Sequence, residues 1–265
     1  MNRRSLLLGA GAVGLTAAVG GAAIAVAAPE DTEAGRRPQP LLTWELTGGF
    51  VPAGWTALRP ARLAAYEDGT LIADATRRLK VSQGTLRSLR NHALLVLRDP
   101  ANSRRRPGAP MIADVPSTVF TVRGNGRRFR AQYEGLEETR SDRAYPQASY
   151  SLLDHLTQLR DRTLRTGSSY HPDAVRLIAV KLDPAQQPST PPPSTRPSPV
   201  TQWPADVPLP RLGKDEFVAQ LDLRGRQARA LLRALPHPDP SSWPVLATPD
   251  GTRFQVNHRF LLPHE

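Results

Sequence analysis

The sequence predicts an α+β fold: an antiparallel sheet of hairpins with two helices on one face, and a small βαββ segment after a Pro-rich linker. Three observations carry that expectation. Apolar runs meet at Asp68-Gly69, Asn125-Gly126 and Asp250-Gly251, and an Asp-Gly or Asn-Gly step between such runs signals a hairpin, because glycine takes the positive φ of the turn. Two further stretches repeat apolar residues every three and four positions, the period of a helix with one buried face. The chain contains no cysteine, which excludes a disulfide framework, thiolate zinc sites and thiol nucleophiles, so the core alone must hold the fold.

Taken in order, structure is expected to begin at the strand-like run Leu41-Leu42-Thr43-Trp44-Glu45-Leu46, which ends at Gly48-Gly49. Arg62–Tyr66 and Thr70–Ala73 flank Glu67-Asp68-Gly69 as the first hairpin, and Arg78–Val81 continues as a short strand. Ser82 reads as the N-cap of a helix whose apolar face is Leu86, Leu89, Ala93, Leu94 and Leu97. The arrangement then recurs. Ser117–Val122 and Arg128–Tyr133 flank Gly124-Asn125-Gly126, and a second helix is opened by Pro146 and closed by Gly167, with Leu152, Leu156, Leu159 and Thr163 as its buried stripe. Ala174–Val180 reads as a further strand, central in its sheet because its run is apolar throughout.

On this reading residues 41–183 form one α+β domain. Residues 184–204 hold eight prolines among Ser, Thr and Gln, the composition of an extended linker. Residues 205–265 follow as the small segment: a strand at Glu216–Leu221, a helix at Asp222–Leu235 and a hairpin around Pro249-Asp250-Gly251. About 60 residues is a size at which a solitary core is marginal.

The N-terminus reads as an export signal of the twin-arginine type. Arg3-Arg4 is followed by a chargeless stretch from Ser5 to Ala28, and Ala25-Val26-Ala27 has the small-x-small form of a cleavage site. Residues 1–27 are therefore expected to be removed, leaving about 238 residues, of which 28–40 are a polar, disordered lead-in. The alternative is an uncleaved anchor, since the uncharged stretch is long enough to span a bilayer. Gly9-Ala10-Gly11-Ala12-Val13-Gly14 matches the dinucleotide fingerprint in letters only. Eight residues precede it, too few for the strand that must deliver those glycines to a helix N-terminus.

No other catalytic motif stands. His171-Pro172-Asp173 and His237-Pro238-Asp239 repeat a tripeptide of turn formers. Asp154 precedes His155 on a helix, where neighbours diverge by about 100° and a carboxylate cannot orient the imidazole. The six histidines include no i, i+4 pair that would place two imidazoles on one helix face. No cofactor is expected.

Charge is the remaining signal. Lysines and arginines number 35 against 24 acidic residues, a net charge of +11, and only Lys80, Lys181 and Lys214 are lysines. Arg104, Arg105 and Arg106 fall in a loop, and Arg128 and Arg130 share one strand face opposite Phe129. These five arginines are the candidate anion-binding residues. The partners they suit are an anionic wall polymer, lipid head groups or an envelope protein. A specific nucleic acid is not expected, although such a surface attracts polyanions by charge alone.

Gly48-Gly49-Phe50-Val51, the Tyr66–Thr70 turn, Trp203-Pro204 and the closing Arg259-Phe260-Leu261-Leu262-Pro263-His264-Glu265 resemble a group of uncharacterised exported actinobacterial proteins. Their tail reads Arg-Pro-Leu-Leu-Pro-x-Glu, from which Phe260 departs, and many look like lipoproteins, whose lipidated cysteine this chain lacks. The resemblance implies a compartment and no site. Two functions are thus expected as rivals: a non-enzymatic envelope binding module, and a secreted hydrolase with a site assembled from distant residues. A pocket with converging polar groups favours the second, an apolar or basic face the first.

Overall fold

The computed structural model describes residues 28–29, 37–182, 200–235 and 243–265. Its first sheet has eight strands: β1 (Ala28–Pro29), β2 (Pro40–Gly48), β3 (Leu63–Tyr66), β4 (Thr70–Ala73), β5 (Arg77–Lys80), β6 (Pro116–Gly124), β7 (Arg127–Glu134) and β8 (Ser168–Ser169). They lie in the order β1-β7-β6-β2-β3-β4-β5-β8, each pair antiparallel. Between them come a short helix α1 (Trp55–Leu58) and the long helices α2 (Gln83–Leu97) and α3 (Gln147–Thr166). The second sheet contains β9 (Ala174–Lys181), β10 (Thr201–Gln202), β11 (Val218–Arg224), β12 (Val245–Ala247) and β13 (Arg253–Phe260), in the order β10-β12-β13-β9-β11, with helix α4 (Gly225–Ala234). Only the short β10–β12 pair is parallel among the described strands.

Both expected helices form where their periodicity places them. Ser82 Oγ accepts from the Thr85 N–H at 3.1 Å, and the five expected α2 residues are buried, joined by Val96. Leu152, Leu156, Leu159 and Thr163 of α3 are buried as well. Together they cover Leu42, Trp44, Leu63, Leu71, Phe120 and Tyr133 on one face of the first sheet. Each leucine so buried stabilises by about 1.5–3 kcal/mol, and truncating one such as Leu156 to alanine would cost about 2–5 kcal/mol.

A second core lies behind that sheet. Ala64, Tyr66 and Ile72, which face away from the helices, cluster with Val175, Leu177, Ala179, Val256 and Phe260 of the second sheet and with Ala228 and Leu231 of α4. Strand β3 is therefore buried on both faces, which explains a Leu-Ala-Ala-Tyr run without polar alternation. The layers run helices, first sheet, second sheet.

This arrangement corrects the expected grouping of residues 41–183. Strand β9 is central as its apolar run implied, but in the second sheet, paired with β11 and β13 from beyond the Pro-rich stretch. Residues 205–265 accordingly share a sheet with the earlier chain. Of the 184–204 linker, residues 184–199 lie outside the described residues. Its end is structured: Trp203 is buried against the Phe254 ring at 5.8 Å. The 28–40 lead-in is tied at both ends, with Ala28–Pro29 on β7 and the Arg123 guanidinium donating to Gln39 at 3.1 Å. Helix α4 starts at Gly225 rather than Asp222, because Asp222 and Arg224 are still in register with β9.

Candidate functional site

The two ends of the first sheet differ. At one end the connections are tight turns, Glu67-Asp68-Gly69 and Asn125-Gly126. At the other, long loops (49–62, 104–115 and 135–146) gather beside the β4–β5 turn.

The 49–62 loop leaves Gly48 and crosses to the second sheet. Gly54 makes that crossing possible: its φ is 81°, and a Cβ there would sit 2.5 Å from Ile178 Cγ2. Trp55 then stacks on Trp243 with centroids 6.2 Å apart, and the Arg259 Nε donates to the Ala57 carbonyl at 2.9 Å. Between this loop, the sheet end and β13 lies a cleft of about 510 Å³. Its apolar wall is Leu46, Val51, Pro52, Trp55, Leu58 and Phe260. The floor includes Asp74 and Ala75, both in the left-handed region at φ 49° and 51°. Aspartate tolerates that region but alanine does not, so Ala75 holds strain of order 1 kcal/mol.

Most of the charges around the cleft are already engaged. Asp74 takes a bidentate pair from Arg160 at 2.6 and 3.1 Å, and Arg62 binds Glu137 at 2.6 Å while covering the Trp44 ring. Arg259, 6 % exposed, forms a bidentate pair with Glu265 at 2.6 and 2.8 Å. Burial pushes the Glu265 carboxyl up, but the Arg259 bonds and charge, the Leu262 N–H and the Arg176 charge hold it below the usual value. Arg59 differs. Its guanidinium donates to the Gly48 carbonyl at 2.8 Å, and it pairs with no carboxylate among the described residues.

The closing Arg-x-Leu-Leu-Pro-x-Glu pattern thereby acquires a physical meaning. Arg259 and Glu265 close the tail on itself, Tyr170 Oη donates to the Leu261 carbonyl at 2.8 Å, and Tyr66 Oη meets His264 Nδ1 at 2.9 Å. Tyr66, Tyr170 and the Arg259–Glu265 pair thereby hold the tail in place.

Of the five arginines expected to bind anions, the structure separates two from three. Phe129, Ala131 and Tyr133 face the helix-side core, so Arg128 and Arg130 project from the opposite face of β7. Arg104, Arg105 and Arg106 line an open groove on the helix side with Arg143, Tyr145 and Gln147. Arg105 is committed there: it donates to the Pro110 carbonyl and lies 5.9 Å over the Tyr145 ring. Arg106 donates to the Asp142 carbonyl. Arg104 and Arg143 are exposed.

The histidine motifs go to structure. Asp173 binds Arg229 at 3.0 Å and its carbonyl accepts from Gly225, while His171 sits edge-on to Phe260. His237 to Asp239 lie outside the described residues. His155 finds His92 across the α2–α3 seam, Nδ1 to Nδ1 at 3.2 Å, and burial followed by the His92 charge lowers its pKa. Among the described residues no group of three or more His, Asp or Glu side chains is placed to hold a metal ion. Likewise no described helix is long and apolar enough to cross a membrane.

Sequence reasoning missed Trp55, Leu58 and Arg59. The signal was present in Gly49 to Pro60, a loop with two tryptophan-sized or aromatic side chains and no apolar period, too long for a hairpin turn. Comparison with protein-family models, with curated proteins and with solved structures gives no match.

Proposed function

We propose that this protein is an exported, non-enzymatic cell-envelope binding protein whose ligand is an amphipathic anion, its apolar part in the cleft and its charged group at Arg59. One observation carries this reading: the cleft is walled by apolar side chains, and the Asp74, Arg62 and Arg259 charges beside it are bound to partners within the protein. A hydrolase needs polar groups that converge on a substrate atom; here the Asp74, Arg62 and Arg259 charges are instead taken up by Arg160, Glu137 and Glu265. A volume of about 510 Å³ lies within the range of small-molecule sites. Export rests on the N-terminal pattern alone.

Titration calorimetry with a long-chain fatty acid tests the cleft. A saturable isotherm is expected, lost in Leu58→Trp, which fills the cleft, and weakened in Arg59→Gln. Saturable binding that Leu58→Trp leaves intact would withdraw the reading. For export, Arg3-Arg4→Lys-Lys is expected to stop translocation in the host, and the intact mass of exported protein to correspond to a start at Ala28.

A further inference from the structure

Large apolar side chains stand in water beside the cleft. Phe50 is 88 % exposed and Met111 77 %, with Ile112 next to it also exposed. They belong to neighbouring loops, since the Phe50 N–H donates to the Asp114 carbonyl at 3.2 Å and Gly49 lies against Pro116. The Met111 loop is braced at its base, where the Arg105 guanidinium reaches the carbonyls of Pro110 and Glu134. The same loop opens with Arg104, Arg105 and Arg106, and these share their groove with Arg143. Across the three loops seven arginines (59, 62, 104, 105, 106, 140 and 143) stand against four carboxylates (Asp114, Glu137, Glu138 and Asp142), so the surface is net positive.

We propose that these loops form a docking surface for an anionic lipid bilayer, with Phe50, Met111 and Ile112 entering the interfacial layer and Arg104, Arg106 and Arg143 meeting phosphate headgroups. Exposed apolar groups cost free energy in water and gain it at the acyl boundary. Arginines beside them gain from the negative surface, each by about fivefold in affinity. The charge complementarity selects a bilayer over a soluble polyanion, because a polymer would use the arginines and leave Phe50 and Met111 in water. Val51 and Pro52, which follow Phe50, are cleft wall, so docking would turn the cleft mouth toward the lipid. Docking does not depend on what fills the cleft.

The absence of cysteine allows a single reporter on the full chain. Met111→Cys is labelled with a polarity-sensitive thiol fluorophore, and Glu67→Cys, in the turn at the opposite sheet end, is the control. With phosphatidylcholine–phosphatidylglycerol vesicles the emission at 111 is expected to shift to the blue and the emission at 67 to stay. The shift should weaken about fivefold in vesicle affinity for each of Arg104→Ala and Arg143→Asn, and vanish in Phe50→Asp. Arg104 and Arg143 are chosen because Arg105 brackets the loop. An unshifted label at 111 would overturn the proposal, as would a shift that survives Phe50→Asp. Polyphosphate binding that depends on Arg104 while the label stays in water would assign the arginines to a soluble polymer and overturn it too.

Discussion

The first sheet has two ends built on different principles. At the Asp68-Gly69 and Asn125-Gly126 end, the chain reverses in the fewest residues, and the positive φ values fall on Gly69 at 83°, Gly126 at 67° and the tolerant Asn125 at 55°. At the other end Ala75, which has no such tolerance, takes a positive φ of 51°, three long loops stand open, and apolar side chains face solvent. The quiet end is locally optimal; the open end departs from local preference and is held by long-range contacts. Departures of that kind gather where a protein binds something, which is why the cleft and the loops beside it are the place to test.

The largest effect expected is at the brace of the open end. Glu265→Ala leaves Arg259 buried without its carboxylate and should cost about 3 kcal/mol in urea unfolding. Replacing both residues with leucine should cost clearly less. An equal or smaller loss in Glu265→Ala would mean the open end is not held by this pair. At the quiet end, Gly69→Ala places a Cβ 2.7 Å from the Val81 carbonyl oxygen at a φ of 83° and should cost about 2 kcal/mol. A neutral result there would erase the contrast.

Smaller, and confined to mild acid, is a loss of stability from histidine. Burial and the His92 charge lower the pKa of His155, and burial, together with Arg259 and Arg123, lowers that of His264 despite Glu265. The native state therefore holds both imidazoles neutral, while the unfolded chain takes protons near pH 6.5. Their contribution is present above about pH 6.5 and is lost as pH falls below it, since the unfolded state then binds more protons. Unfolding midpoints between about pH 7.5 and about pH 5.5 should fall, less so in His155→Gln. A flat profile would refute the buried neutral state of both.

The smallest effect expected is at Ala75. Glycine there relieves strain of order 1 kcal/mol but gives up a buried methyl and adds chain entropy, so Ala75→Gly should change stability by less than about 1 kcal/mol. A loss above that would show that the turn carries no strain.

What could be read from the sequence follows the same division. Gly69, Gly126, Ser82 and Gly167 encode their turns and caps within a few residues, and the helices display their own periods, so the quiet end and the helical layer were legible. The apolar run at β9 was legible as a central strand, but its neighbours lie far along the chain and no local pattern names them. Arg128 and Arg130 were rightly paired by the two-residue period. Their separation from Arg104 depends on which face of β7 the helices cover, a tertiary choice. Arg105 looked like a free loop charge because backbone carbonyls, its actual partners, leave no mark in a sequence.

The pairing of β9 also sets an order in time. Roughly 70 residues separate Lys181 from Arg253, several seconds of synthesis at about 5–20 residues per second. Through that interval β9 is a finished apolar ribbon whose β13 neighbour does not yet exist, a state open to wrong pairing. The helices can close on the first sheet in the meantime. Its back face at Ala64, Tyr66 and Ile72 would then offer the late strands an apolar surface to pack on.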